Sequence, residues 1–218
     1  MSEVKLICGD CLEVLPTLET GSVDAVITDP PFGIDFKYNG YKDNPCEYEK
    51  LMCTFVTQVN RLLHDGYAFV WQAMPQCKNW HKWFPGEYRI FAGLKNFVQF
   101  RPIPIQFSWD PIIFWKVGNP KLIPIAGHRD YHIGNTARYV TEKSCGHPCP
   151  RPQNTVEYIV NLVTLPSDTI LDPFMGSGTT GLACVKLNRN FIGIEISEEY
   201  FKIAEKRIKE AQMQLSFL

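Results

Sequence analysis

The sequence predicts an α/β fold around a mostly parallel sheet, and three observations carry that prediction. Apolar, β-branched runs such as Val23-Asp24-Ala25-Val26-Ile27-Thr28 and Thr169-Ile170-Leu171-Asp172 read as short strands buried on both faces. Segments with helical spacing alternate with these runs, as crossovers between parallel strands require. Near the C-terminus, a strand ending in Asp172, a glycine-rich turn, a helix and a strand ending in Glu195 form one βαβ unit of a nucleotide-binding sheet.

Taken in order, Val4 to Asp10 is a strand closing on Gly-Asp, and Cys11 to Leu15 is a brief helical turn stopped by Pro16. Thr20-Gly21-Ser22 turns into the Val23–Thr28 strand, which Pro30 and Pro31 end because proline cannot donate to a ladder. Gly33 to Asn44 has glycines and polar residues without a period and reads as a loop. Leu51, Phe55, Val59, Leu62 and Leu63 place a helix over 46–63, which His64-Asp65-Gly66 closes with a capping glycine. Tyr67–Trp71 and Ile112–Val117 are further strands, and Phe97–Gln106 is a candidate for another. Residues 118–153, rich in Gly, Pro, Asn, His and Arg, read mostly as loop. Helices are expected over Asn154–Leu165, Gly181–Leu187 and 198–212, with a strand over Phe191–Ile196.

The 218 residues suit a single domain spanning 1–218. No run approaches the roughly 18–20 apolar residues of a membrane span, and the N-terminal stretch does not read as a signal peptide. A cytoplasmic protein with no membrane partner is therefore expected. The eight cysteines are scattered, unlike a secreted disulfide framework. The net charge of −1 hides a split: residues 74–151 carry eleven Lys and Arg against four acids, a surplus of +7, leaving −8 for the two ends. That division fits a basic face for a polyanion beside a more acidic catalytic core, or charges merely spread over the surface.

Ligands of open α/β sheets bind at the carboxyl ends of strands, which is where Asp29-Pro30-Pro31-Phe32 falls. The stretch supplies a carboxylate, two stiff residues and an aromatic ring. By itself it serves equally as an ordinary turn with Phe32 in the core. Gly176 and Gly178 let a ligand approach the backbone closely, and the helix beginning near Thr179 presents N–H groups and a positive dipole end. Glu195, about 20 residues beyond the glycines, stands where an acid accepts from ribose hydroxyls. A structural left-handed turn with a surface Glu195 is the alternative. The third glycine of a dinucleotide fingerprint and the lysine of a P-loop are both missing, which disfavours NAD or ATP and leaves a nucleoside without phosphates.

Asp29-Pro30-Pro31-Phe32 and Asp172-Pro173-Phe174-Met175-Gly176-Ser177-Gly178-Thr179-Thr180 together resemble the motifs of the β-class amino DNA methyltransferases (N6-adenine and N4-cytosine). The resemblance covers almost the whole chain. It implies a Rossmann-like methyltransferase fold, a mostly parallel sheet with helices on both faces, circularly permuted so that the catalytic motif precedes the cofactor motif. It implies S-adenosylmethionine as cofactor and catalytic roles for Asp29, Pro30, Pro31 and Phe32. Cofactor contacts are implied for Asp10 and Cys11 of Gly9-Asp10-Cys11-Leu12, and for Asp172, Phe174, Gly176, Ser177, Gly178, Thr179, Thr180 and Glu195. His147-Pro148-Cys149-Pro150-Arg151-Pro152 is similar to the family's His-Pro-Thr-Gln-Lys-Pro segment, which closes the cofactor site. Three of its six residues differ, and Arg151 stands in the cationic place of the lysine. The implied activity is site-specific methylation of an exocyclic amine on a flipped base of double-stranded DNA, by a bacterial or phage-encoded monomer or homodimer. Aspartate heading the motif, where N4-cytosine enzymes frequently carry serine, tilts the comparison towards adenine N6.

By the same analogy, residues from about 74 to 146 include a small target-recognition insert, with Lys116, Lys121, Arg129, Arg138 and Lys143 as phosphate candidates. Each is equally well a solvated surface charge. Cys145-Gly146-His147-Pro148-Cys149 lacks a C-x-x-C pair, and no metal site is expected. The rival readings are an RNA or protein-amide methyltransferase and a catalytically silent DNA-binding protein.

Overall fold

The computed structural model describes residues 2–35, 37–38, 41–96, 108–120, 123, 129–135 and 151–216. The strands are β1 (Val4–Cys8), β2 (Val23–Thr28), β3 (Lys37–Tyr38), β4 (Tyr41–Lys42), β5 (Leu63–Trp71), β6 (Arg89–Lys95), β7 (Trp109–Val117), β8 (Tyr131–Gly134), β9 (Thr169–Asp172) and β10 (Asn190–Glu195). All but the antiparallel ribbon β3–β4 join one eight-stranded sheet in the order β1-β10-β9-β2-β5-β7-β6-β8. Every pairing from β1 to β5 is parallel. β7 runs against both β5 and β6, and β8 lies parallel to β6. Among the described strands of this sheet only β7 is therefore reversed, and the sheet is mostly parallel, as the sequence predicts.

The order has one consequence that decides where the site lies. The C-terminal unit β9, helix, β10 is inserted between β1 and β2, so strands more than 140 residues apart in sequence become neighbours. Helices α1 (Cys11–Val14), α2 (Pro45–Leu62) and α3 (Trp80–Trp83) cover one face, and α4 (Gln153–Val163), α5 (Thr179–Lys186) and α6 (Glu198–Ser216) the other. The first core joins Val26, Val70 and Ile113 to Met52, Phe55 and Val59; the second joins Ile27, Phe69 and Ile170 to Val156, Ile159 and Ala183. Alternate residues of each strand feed opposite cores, which is why these strands read as continuously apolar.

Three details depart from the sequence reading, the first being the β3–β4 ribbon inside the stretch Gly33–Asn44 read as a loop. Helix α2 ends at Leu62 and β5 begins at once at Leu63, so Gly66 lies inside the ladder and does not cap the helix. The left-handed residue there is Asp65, at φ 48°. β6 and β8 occupy ground read without strands, because β8 turns Tyr131 and Ile133 outwards and so shows no inward apolar alternation. The Phe97–Gln106 candidate lies outside the described residues.

Candidate functional site

Four neighbouring strands carry an acid at or just beyond their carboxyl ends: Asp10 after β1, Glu195 in β10, Asp172 in β9 and Asp29 after β2. At about 4.8 Å per strand the row is roughly 14 Å long. Such a rim repels phosphate and suits a ligand bearing hydroxyl donors and positive charge.

Asp29 is partly buried, and both its oxygens are engaged by Arg151, which donates from Nε to Oδ2 at 2.6 Å and from Nη2 to Oδ1 at 2.7 Å. Burial raises the Asp29 pKa, the Arg151 guanidinium opposes that shift, and the nearby Asp110 adds to it. Arg151 immediately precedes Pro152, the N-cap of α4, and its guanidinium lies 5.5 Å from the Phe32 ring centre and 6.0 Å from that of Trp71. Its Nη1 also reaches Asp110 Oδ2 at 3.2 Å, and Asp110 pairs with Lys95 at 2.7 Å. Sequence reasoning missed Asp110 and Lys95, since nothing local marks them; only the β6–β7 pairing brings them to the rim.

The turn holding Phe32 is fixed by groups from outside it. Asp43, itself buried, accepts from Gly33 N at 2.6 Å and Ile34 N at 2.9 Å, and Gln76 Nε2 donates to the Phe32 carbonyl at 2.9 Å. Gly33 has φ 63°, and a Cβ there would lie 2.6 Å from the Tyr48 ring, so only glycine fits.

On the other side of β2, the Thr28 hydroxyl donates to Asp172 Oδ1, which also accepts from Phe174 N at 3.1 Å. Thr180 supplies a further side-chain hydrogen bond, so the N-terminus of α5 faces a carboxylate of the chain itself. Burial dominates these bonds and pushes the Asp172 pKa up to about 7. A carboxyl that is easier to protonate in the fold loses stability as pH rises from its unfolded value near 4 to about 7. Asp172→Asn keeps an acceptor oxygen without the charge. The variant's melting temperature relative to wild type should therefore rise between pH 5 and pH 8, by an amount worth on the order of 3 kcal/mol at most. A difference independent of pH would remove this reading.

Glu195 Oε2 accepts from Gly176 N at 2.9 Å and Oε1 from Ser197 N at 2.8 Å, which clamps the carboxylate against the glycine turn. Gly176 and Gly178 are left-handed, at φ 52° and 83°. At Gly178 an added Cβ would meet Ala204 of α6 at 3.0 Å. The missing side chain makes room for that helix. Ser177 is buried, and its carbonyl accepts from Arg207 Nη1 at 2.6 Å. Asp10 caps α1 by accepting from Leu12 N at 2.8 Å, while the Cys11 side chain lies in the core, where burial pushes its thiol pKa up. Phe174 packs edge-on to Phe55 at 5.5 Å.

Of the phosphate candidates, Lys121, Arg138 and Lys143 lie outside the described residues, as do His147 to Pro150. Lys116 is exposed opposite Tyr67, near the start of β5 and away from the acid rim. Arg129 is exposed just before the edge strand β8, stacked on Tyr131. The structure brings neither to Asp29. Among the described residues no group of His, Cys, Asp or Glu is arranged to hold a metal, and no helix is long and apolar enough to cross a membrane.

A sheet with one reversed strand between two helical layers, a glycine turn clamped to a strand-end acid and a second acid beside it define a Rossmann-like methyltransferase fold. Residues 104–206 match the DNA methylase family of N6 and N4 methyltransferases. The type II methyltransferase M.HpaI of Haemophilus parainfluenzae is 25% identical over 234 residues, covering 94% of this chain and 74% of that protein. The M1.HpyAVI complex with S-adenosylmethionine superposes with TM-score 0.72 at 24% identity, over 94% of this chain and 98% of that one. The cytosine-N4-specific PvuII DNA methyltransferase superposes with TM-score 0.73 at 19% identity, over 98% and 93%. The chain is thus similar over most of its length to type II DNA methyltransferases, and one of the superposed structures holds S-adenosylmethionine. The rim fits that molecule chemically: hydroxyls and an amino group to donate, a sulfonium and an ammonium to balance the acids, and no phosphate.

Proposed function

We propose that the protein methylates adenine N6 within a specific site of double-stranded DNA. The observation that carries this reading is Asp29 at the end of β2, directly beside the cofactor strand β9. Glu195 and Asp10 hold the nucleoside part, and the turn from Phe174 to Thr180, with Asp172, surrounds the amino-acid part. The cofactor supplies an electrophilic methyl group.

An exocyclic amine is a poor nucleophile because its lone pair is delocalised into the ring. The Asp29 carboxylate and the Pro30 carbonyl accept its two N–H bonds and hold the nitrogen with its lone pair exposed. Asp29 also stabilises the positive charge that develops on nitrogen, so catalysis is positioning plus electrostatics. Phe32 stacks on the flipped base, a contact worth about 1–3 kcal/mol that offsets part of the unstacking cost. The basic residues of the 74–146 region, among them Arg129, supply phosphate contacts. The enzyme acts in a bacterial or phage-infected cytoplasm, as a monomer or homodimer.

The test is transfer from labelled S-adenosylmethionine to unmethylated bacterial DNA, followed by nucleoside mass spectrometry. N6-methyladenine is expected. N4-methylcytosine would reassign the base, and no methylated base despite cofactor binding would sink the reading.

A further inference from the structure

The free protein holds Asp29 in a state that conflicts with its proposed use. Both its oxygens accept from Arg151, so an arriving amine finds its acceptor engaged and its charge already balanced. Arg151 must give up at least one of these bonds when a base enters. Its side chain is only 17% exposed and lies close to both Phe32 and Trp71. A cation so enclosed is strongly disfavoured without a counter-charge.

A second carboxylate is already in reach. Asp110 Oδ2 lies 3.2 Å from Nη1, the guanidinium nitrogen that Asp29 does not use. Its other oxygen is fixed by Lys95 Nζ at 2.7 Å. Lys95, Asp110, Arg151 and Asp29 thus alternate in sign across the ends of β6, β7, the approach to α4 and β2. The four charges sum to zero, so the guanidinium moves from one acid to the other without stranding a charge.

We propose that Asp110, fixed by Lys95, is a positioning residue for methyl transfer: it receives the Arg151 guanidinium when the target base displaces it from Asp29. The inference rests on the proposed role of Asp29 as amine acceptor. Asp29 is masked by Arg151 in the free enzyme, and its charge is released from that pairing only when the base arrives. No proton or electron moves in this exchange.

Asp110→Asn keeps the shape and one acceptor oxygen and removes the charge. At saturating cofactor and DNA its transfer rate should fall roughly 10–100-fold, the range for residues that orient a functional group. Its calorimetric affinity for S-adenosylmethionine should stay within about twofold of wild type, and Asp110→Glu should recover most of the rate. A second readout follows the Arg151 Nε–H signal by NMR. With S-adenosylhomocysteine and DNA present, that signal should move in wild type and keep its free-protein position in Asp110→Asn. Unchanged transfer by Asp110→Asn, with wild type active, overturns this inference alone. Loss of cofactor affinity together with rate overturns it by placing Asp110 in the cofactor site. An Arg151 signal that moves fully on S-adenosylhomocysteine alone also overturns it, because the cofactor and not the base would then release the arginine. A wild-type protein that methylates no DNA overturns this inference and the proposed function together.

Discussion

Asp29→Asn should reduce methyl transfer by roughly a thousand-fold, the scale of losing one preorganised charge-stabilising contact, while cofactor affinity survives. Two losses combine. The carboxamide offers one acceptor oxygen where the carboxylate has two, and it carries no charge to meet the one developing on nitrogen. The fold should tolerate the change, because Arg151 keeps Asp110 as a partner and β2 is held by the Thr28–Asp172 bond and the ladders on either side. Single-turnover transfer and calorimetric cofactor binding, measured side by side, separate the outcomes. Transfer above a tenth of wild type would move the acceptor elsewhere. Loss of cofactor binding as well would make Asp29 structural.

Much of this was legible in the sequence because short-range signals coincided with the final environment. β9 falls where the Thr169–Asp172 run predicts it, and the glycine turn after it meets Glu195 at the end of the next strand, as the βαβ pattern implies. What escaped depends on pairing between distant segments. Asp110 and Lys95 matter only because β6 and β7 are antiparallel neighbours, and Asp43 only because the chain returns to Gly33. Arg151 was identified by its motif, as a cation near the cofactor, yet in the free protein its partner is Asp29. A motif gives the type of charge but not its partner. Gly178 carries a similar lesson: the glycine is required, but the neighbour requiring it is Ala204 on α6, which no reading of the turn alone supplies.

Gly66 gives the sharpest test of how the fold positions the chemistry. In sequence it looks like a helix terminator, which many residues would replace at small cost. In the structure it crosses Asp24 where the β2–β5 register slips: Val23 faces Leu63, but Ala25 already faces Tyr67. A Cβ on Gly66 would lie 1.9 Å from the Asp24 carbonyl oxygen and 2.8 Å from its carbon. Both are backbone atoms, so no side-chain rotation relieves the clash, and the strands must part. Gly66→Ala should therefore cost roughly 3 kcal/mol or more, lowering the melting temperature by about 6–12 °C in a domain of this size. Gly86→Ala is the control: nothing lies within 4 Å of its added Cβ, and its melting temperature should not change. β2 carries Asp29 a few residues beyond the clash, and a displacement near 1 Å at a reacting group is enough to cost about a hundred-fold in rate. Folded Gly66→Ala protein, assayed below its melting point, should lose transfer out of proportion to its loss of cofactor binding. A melting temperature within 2 °C of wild type would mean that the β2–β5 slip is not as tight as the geometry requires.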